Sequence, residues 1–241
     1  MFATETSVGH YGGVDVQTLN RRIYSLADAA EILRMGAGTL AWWLDGGKRG
    51  RSIYPPVIRV ERTGERSLTW AEFVEAGLLR QYRRDLGVQL HEIRRFVAAL
   101  RDELSIEHPL AHARPWVGEG MRLLMRFQEE CDLPGDLWLI APVSGQLMQL
   151  PPAESFVKRV EWDGDLPVSW RPHDDTSSPV RCRPSQRFGR PAVYGISTSA
   201  IFEHFDGGEH EEEIADQFDL AVQDVRWAVA YETSRAAPLA A

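Results

Sequence analysis

The stretch IYSLADAAEILRMGAGTLAWWLDG, residues 23–46, decides the fold of the front of this chain. Ser25 followed three residues later by Asp28 has the spacing of an N-terminal capping box, with Asp a poorer partner there than Glu. Leu26, Ala29, Ala30 and Leu33 recur at helical spacing and predict a short helix to about Arg34, which Gly36 and Gly38 break. Thr39 is placed as the cap of a second short helix carrying Leu40, Trp43 and Leu44, ended by Gly46-Gly47. Two short amphipathic helices about a Gly-containing turn are the signature of a helix-turn-helix.

Downstream come Lys48, Arg49 and Arg51, then Ile53 to Val60 with Pro55-Pro56, Thr63-Gly64-Glu65 and Ser67-Leu68. This reads as one basic β-hairpin, a wing, whose prolines restrict it to edge strands. Thr69 and Glu72 make a second capping box, opening a helix with Trp70, Phe73, Val74, Leu78 and Leu79 on one face. Leu90, Ile93, Phe96, Val97 and Leu100 mark another, ending near Leu104. Upstream, Met1 to Leu19 is Gly-rich and polar, and residues 1–22 are read as a loose arm.

Beyond residue 104 the period changes. Met121 to Glu130 carries a weak helical pattern. Leu137 to Pro142, Leu147 to Leu150, Ser155 to Trp162 and Leu166 to Trp170 are short apolar runs between turn signals, predicting a small antiparallel sheet. His173 to Pro179 is a polar linker. From Val180 the chain offers Arg181, Arg183, Arg187 and Arg190, then a strand and turn over Pro191 to Ile196. A helix capped by Thr198 follows, then helices over Glu211 to Phe218 and Val222 to Thr233. The expected class is α+β: a winged helix-turn-helix (23–104), a connecting helix and central β region (105–172), a linker (173–179) and a three-helix, helix-turn-helix-like module (180–235).

A chain of 241 residues with 44% apolar and 26% charged residues has the composition of a folded protein rather than a disordered one. No apolar run reaches bilayer length, and the opening residues lack the charged start and apolar run of an export signal, so a soluble, cytoplasmic protein is expected. Cys131 and Cys182 form no C-x-x-C pair, which excludes the usual zinc frameworks. The net charge of −8 divides unevenly: residues 1–104 carry 15 basic and 13 acidic groups, residues 105–241 carry 12 and 22. Contact with a polyanion is therefore expected from the front, contact with protein from the back.

Two resemblances rest on these motifs. Residues 23–46, the basic wing and LTWAEFVEAGLLRQYRRDLGVQLHEIRRFV (68–97) resemble the winged helix-turn-helix of MerR-type regulators. Ala41 stands where those regulators usually carry a basic residue, Trp42 and Trp43 replace their tyrosines, and their long dimerising coiled coil is missing. RFGRPAVYGISTSAIFEHFDGGEHEEEIADQFDLAVQDVRWAVAYE (187–232) resembles the domain-of-unknown-function 433 module found in type II antitoxins. Joined, the two resemble long antitoxins of the VapB type, whose partners are PIN-like ribonucleases. That resemblance implies a protein that neutralises a ribonuclease toxin and represses its own operon as a dimer.

The residues expected to carry these roles follow. Lys48, Arg49 and Arg51 would neutralise phosphates, Thr39 at a helix start would donate to one, and Trp42 would press on a thymine methyl or sugar. Trp43, on the Leu40/Leu44 side, is read as core. Arg181, Arg183, Arg187 and Arg190 would pair with toxin carboxylates, the bare alternative being a solvated linker. No cofactor, metal or catalytic site is expected. His108 and His112 lack the Glu and third ligand of a zinc motif, and Gly46-Gly47-Lys48 lacks the Ser/Thr of a P-loop. The alternative is a one-component regulator whose central region, with Trp138, Trp162 and Trp170, senses a ligand. A third reading is an adaptor that has lost DNA contact.

Overall fold

The structure is a computed structural model that describes residues 16–86, 89–113, 119–130, 138–143, 146–149, 151–173 and 175–236. Most of the predicted arm, Cys131, Leu137, Leu150 and Asp174 lie outside the described residues. The class is α+β, with ten α-helices and five two-stranded antiparallel sheets among the described residues.

Helix α1 (Val16–Asn20) leads into strand β1 (Arg22–Ser25), helix α2 (Leu26–Ile32) and helix α3 (Ala37–Asp45). The predicted arm is thus ordered at its end, where Leu19 enters the core. The Ser25 cap forms as expected: its Oγ accepts from Asp28 N at 3.1 Å and donates to Asp28 Oδ2 at 2.7 Å. Thr39 does not cap α3, which starts from Gly36, whose carbonyl accepts from Leu40 N at 3.0 Å. Gly38 is carried inside the helix, because burying Leu40, Trp43 and Leu44 outweighs its intrinsic cost of about 1 kcal/mol. Gly46 ends α3 with φ +61°; a Cβ there would lie 2.2 Å from the Tyr54 carbonyl oxygen.

Strands β2 (Gly47–Arg49) and β3 (Ser52–Tyr54) form the basic hairpin expected as the wing (hereafter the wing), with Lys48 opposite Ile53 and Arg49 opposite Ser52. The hairpin is shorter than predicted. Pro55 and Pro56 have no N–H to donate, so the ladder cannot pass Tyr54. Instead the chain turns inward: the N–H groups of Val57 and Ile58 both reach the Trp43 carbonyl, at 2.9 and 3.1 Å. Ser67-Leu68, predicted as part of the wing, lies in β4 (Ser67–Thr69), which pairs with β1.

The second capping box opens helix α4 (Trp70–Leu86), with Thr69 N donating to Glu72 Oε2 at 2.8 Å and Glu72 N to Thr69 Oγ1 at 3.1 Å. Helix α5 (Leu90–Leu104) follows, then α6 (Glu119–Glu130). The predicted central sheet is instead two separate hairpins, β5 (Ile140–Val143) with β6 (Gln146–Gln149) and β7 (Val160–Asp163) with β8 (Leu166–Trp170). Helix α7 (Pro151–Arg159) lies between them, where the run from Ser155 had read as a strand. Ala153, Phe156, Val157 and Val160 recur at helical spacing behind a proline suited to a helix start. Trp70, Phe73, Phe156 and Trp170 bind the front helices and the central hairpin into one core.

The rear carries β9 (Ala192–Val193), β10 (Ile196–Ser197), α8 (Thr198–Asp206), α9 (Glu211–Phe218) and α10 (Val222–Ala236) around a second apolar cluster of Val180, Val193, Ile201, Ile214, Val225 and their neighbours. Ser197, not Thr198, is the N-cap of α8. Thr198 is buried, and its hydroxyl donates to Glu232 of α10. The rear unit is pinned to the front. Tyr24 hydroxyl donates to the Gly189 carbonyl at 2.6 Å, and Arg235 reaches Glu31 at 2.7 Å. His173 lies edge-on to Trp227 and Tyr231, 5.4 and 5.5 Å between ring centres.

Candidate nucleic-acid interface and the arginine segment

The wing stands on a buried arginine. Arg59, 3% exposed, donates to Glu72 Oε1 at 2.6 Å, Asp45 Oδ1 at 2.9 Å, Thr63 Oγ1 at 2.7 Å, and the carbonyls of Glu65 and Ser67 at 3.1 and 2.8 Å. One side chain therefore ties the end of α3, the loop before β4 and the first turn of α4. Burial opposes charge on Asp45, but the Thr63 N–H and the Arg59 guanidinium outweigh it and hold its carboxyl below the usual range.

On that base, Lys48, Arg49 and Arg51 are exposed at the tip of the wing. Thr39 is exposed on the first turn of α3, and Trp43 is buried in the core. Trp42 is half-buried, 5.6 Å from Tyr54 and close under Gly47. It lines a groove of about 250 Å³ beside the exposed face of α3, with Gly38, Ala41, Arg62 and Arg66. Sequence reasoning did not single out Arg62 and Arg66, which flank the Thr63-Gly64-Glu65 stretch read as part of the wing; both are exposed beside α3, on a loop where Glu61 and Glu65 balance them, and Asp45 and Glu65 line the same groove. The accessible surface of α3, Ala37 to Thr39 with Ala41 and Trp42, is uncharged and largely apolar up to the half-buried Asp45 at the helix end, which Arg59 engages. Such a face fits against a groove by shape and apolar contact, while the arginines beside it suit phosphate oxygens.

The arginine segment divides in two. Arg181 and Arg183 both pair with Glu161 of β7, at 2.8 and 3.1 Å. Their backbone is built in as well: Cys182 bridges to Trp170, Arg181 bridges to Ala192, and Val180 and Cys182 are fully buried. This part is a seam in the fold, not a solvated linker. Burial raises the Glu161 carboxyl, but the Arg181 and Arg183 guanidinium groups bring it below its ordinary value. Arg187 and Arg190 are exposed, with Arg187 Nε donating to the Gly195 carbonyl at 2.9 Å. Between and beside them the backbone is left-handed at Arg187 (φ +49°), Phe188 (φ +53°) and Tyr194 (φ +48°), which costs on the order of 1–2 kcal/mol for each such residue.

The histidines weighed for metal chemistry serve separate carboxylates. His108 Nδ1 lies 3.0 Å from Glu75 in the core, and His112 Nδ1 lies 3.0 Å from Asp165. Among the described residues, no group of three or more His, Cys, Asp or Glu side chains is placed to hold a metal ion. No helix among them is long and apolar enough to cross a membrane.

No family model matches the chain. Two proteins of Mycobacterium tuberculosis (strain ATCC 25618 / H37Rv) are similar over most of its length. "Uncharacterized protein Rv2308" is 28% identical over 228 residues, covering 88% of this chain and 91% of that protein. "Putative antitoxin VapB45" is 26% identical over 220 residues, covering 85% of this chain and 91% of that protein. The crystal structure of Rv2018 from Mycobacterium tuberculosis superposes with a TM-score of 0.71 at 24% identity, covering 88% of this chain and 99% of that one, so the two share a fold.

Proposed function

We propose that this chain is the antitoxin of a type II toxin–antitoxin pair, acting in the cytoplasm by binding rather than by catalysis. It neutralises a ribonuclease toxin and, as a dimer, binds operator DNA to repress its own operon. The observation that carries the reading is the 26% identity, over 85% of the chain, to a protein named as an antitoxin. The resemblance read from the sequence, of roughly residues 23–100 to MerR-type regulators and of residues 187–232 to the domain-of-unknown-function 433 module, points the same way. So does the exposed cationic wing on its buried Arg59 base. In this reading Lys48, Arg49 and Arg51 meet phosphates, with Thr39 and Trp42 on the α3 face. The toxin contact falls to Arg187 and Arg190, since Arg181 and Arg183 are engaged by Glu161.

The sensing alternative asks the central tryptophans to face a ligand, yet Trp170 is packed between Phe73, Phe156 and Gly77. The test is co-expression with the product of the adjacent reading frame. An antitoxin restores growth that this product arrests and is captured with it; growth that stays arrested overturns the reading.

A further inference from the structure

We infer that Phe188 and Tyr194 are the anchors of a docking surface for a protein partner that presents an apolar notch edged by carboxylates. The inference rests on the antitoxin reading for the class of partner and adds the surface that meets it.

Both aromatic rings are set out in solvent, 67% and 69% exposed, and both residues have left-handed backbone. A large aromatic gains little for the free fold in such a place: about two-thirds of it stays wet and its backbone is strained. The two turns that present them are fixed to one another and to the front of the molecule. Arg187 Nε bonds the Gly195 carbonyl beside Tyr194, and Tyr24 hydroxyl bonds the Gly189 carbonyl beside Phe188. Gly189 itself leaves no room for a side chain, since a Cβ would meet the Tyr24 hydroxyl at 2.3 Å. The anchors are therefore held in place before any partner arrives, which removes much of the ordering cost of docking.

The rim is cationic. The Arg21 guanidinium stands 5.8 Å from the centre of the Phe188 ring, and Arg187 and Arg190 are exposed on the same loop. No acidic residue occurs from Val180 to Phe202, whereas residues 191–241 as a whole carry ten acidic and two basic groups. A long polyanion laid here would meet the negative charge of the same unit, while a compact carboxylate cluster on a protein matches the local positive rim alone. Rigid aromatics ringed by arginine are the residue types that dominate binding energy at protein interfaces.

The test uses the full chain and, as probe, the purified product of the adjacent reading frame. Replacing Phe188 and Tyr194 together by Gly leaves the melting temperature of the free chain unchanged or raised, and weakens probe binding at least tenfold in titration calorimetry. Arg190→Glu weakens it too and makes it less salt-sensitive. If the wild-type chain binds the probe and both variants bind it equally well, the surface is overturned while the antitoxin reading stands. If the wild-type chain does not bind the probe, both fall. The inference is also overturned if the double substitution lowers the melting temperature, dissociates a homodimer in sedimentation, or abolishes binding of a labelled single-stranded oligonucleotide. Those outcomes assign the rings to the fold, to a second copy or to nucleic acid.

Discussion

Arg59 Nε lies 2.6 Å from Glu72 Oε1 with both side chains almost fully buried, so the base of the wing depends on one ion pair inside the front core. Removing one partner leaves the other charged and dry. Arg59→Met is expected to destabilise the chain by roughly 3–5 kcal/mol, measured by urea unfolding. Arg59→Met combined with Glu72→Gln, which keeps an acceptor for the Thr69 N–H, and Asp45→Asn should recover most of that loss. A double loss in the triple variant would show that the network does more than neutralise itself.

Asp45 gives this network a pH signature. Its carboxyl is held below the ordinary value by the Thr63 N–H and Arg59, against the opposing pull of burial. Its contribution is therefore present above the unfolded value near 3.8 and lost as pH falls through the lower folded value. Asp45→Asn should flatten the fall in stability below about pH 4 and leave the slope near neutrality unchanged.

Buried His108 and half-buried His173 act in opposite senses. Burial lowers His108, but the Glu75 carboxylate outweighs it and the net shift is upward from 6.5. The stability it supplies is full below its unfolded value and is lost as pH rises through the higher folded one. His173 is shifted down by burial and by Arg159, so it disfavours folding progressively as pH falls below 6.5. Melting curves between pH 5 and 9 should show His108→Gln removing the alkaline decline and His173→Gln removing the acid one. The reverse assignment would refute both.

The two short helices α2 and α3 were legible because their signals are local: a cap at Ser25, a helical period, a Gly stop at Gly46. The pairing of β1 with β4 was not, since it joins Arg22 to Thr69 across 47 positions and no short pattern announces it. The run from Ser155 to Trp162 failed for another reason. Its apolar residues fit both periods over so few positions, and Pro151 should have decided for a helix start. At the candidate site, the sign of the charge was readable, and the exposed wing cations were named. What sequence could not reveal was which arginines are already taken. Glu161, some twenty positions upstream, claims Arg181 and Arg183 and leaves Arg187 and Arg190 at the surface. Left-handed backbone at Phe188 and Tyr194 has no sequence signal at all, because the usual marker there is Gly or Asn.

Gly77 in the middle of α4 is explained by Trp170 of β8. A Cβ at Gly77 would stand 2.6 Å from Trp170 Cη2, with the ring held by Phe73 and Phe156. On propensity alone Gly77→Ala should stabilise the helix by about 1 kcal/mol. Overpacking wins here, and the net expectation is a loss of roughly 1–3 kcal/mol, seen as a lower melting temperature with altered tryptophan emission. A stabilised variant would mean that the central hairpin yields easily.

The DNA reading makes a quantitative demand on salt. Each phosphate neutralised by a wing cation contributes about −0.9 to the slope of log K against log salt concentration. Lys48, Arg49 and Arg51 sit together at the tip, so replacing all three by Ala should flatten that slope by about 2 to 3 for a duplex spanning the chain's own promoter. Arg62→Ala and Arg66→Ala, beside the α3 face, should each flatten it by about 1 if the groove they line faces the duplex. Because α3 offers a base edge only the Thr39 hydroxyl and the Trp42 indole N–H, with Asp45 engaged by Arg59, base substitutions in the operator should act through groove shape more than through single contacts. Trp42→Ala should then cost affinity on all sequences nearly alike. A slope that the triple variant leaves unchanged would remove the wing from the DNA contact, and a Trp42 variant that relaxes preference at one base pair only would make that ring a direct reader.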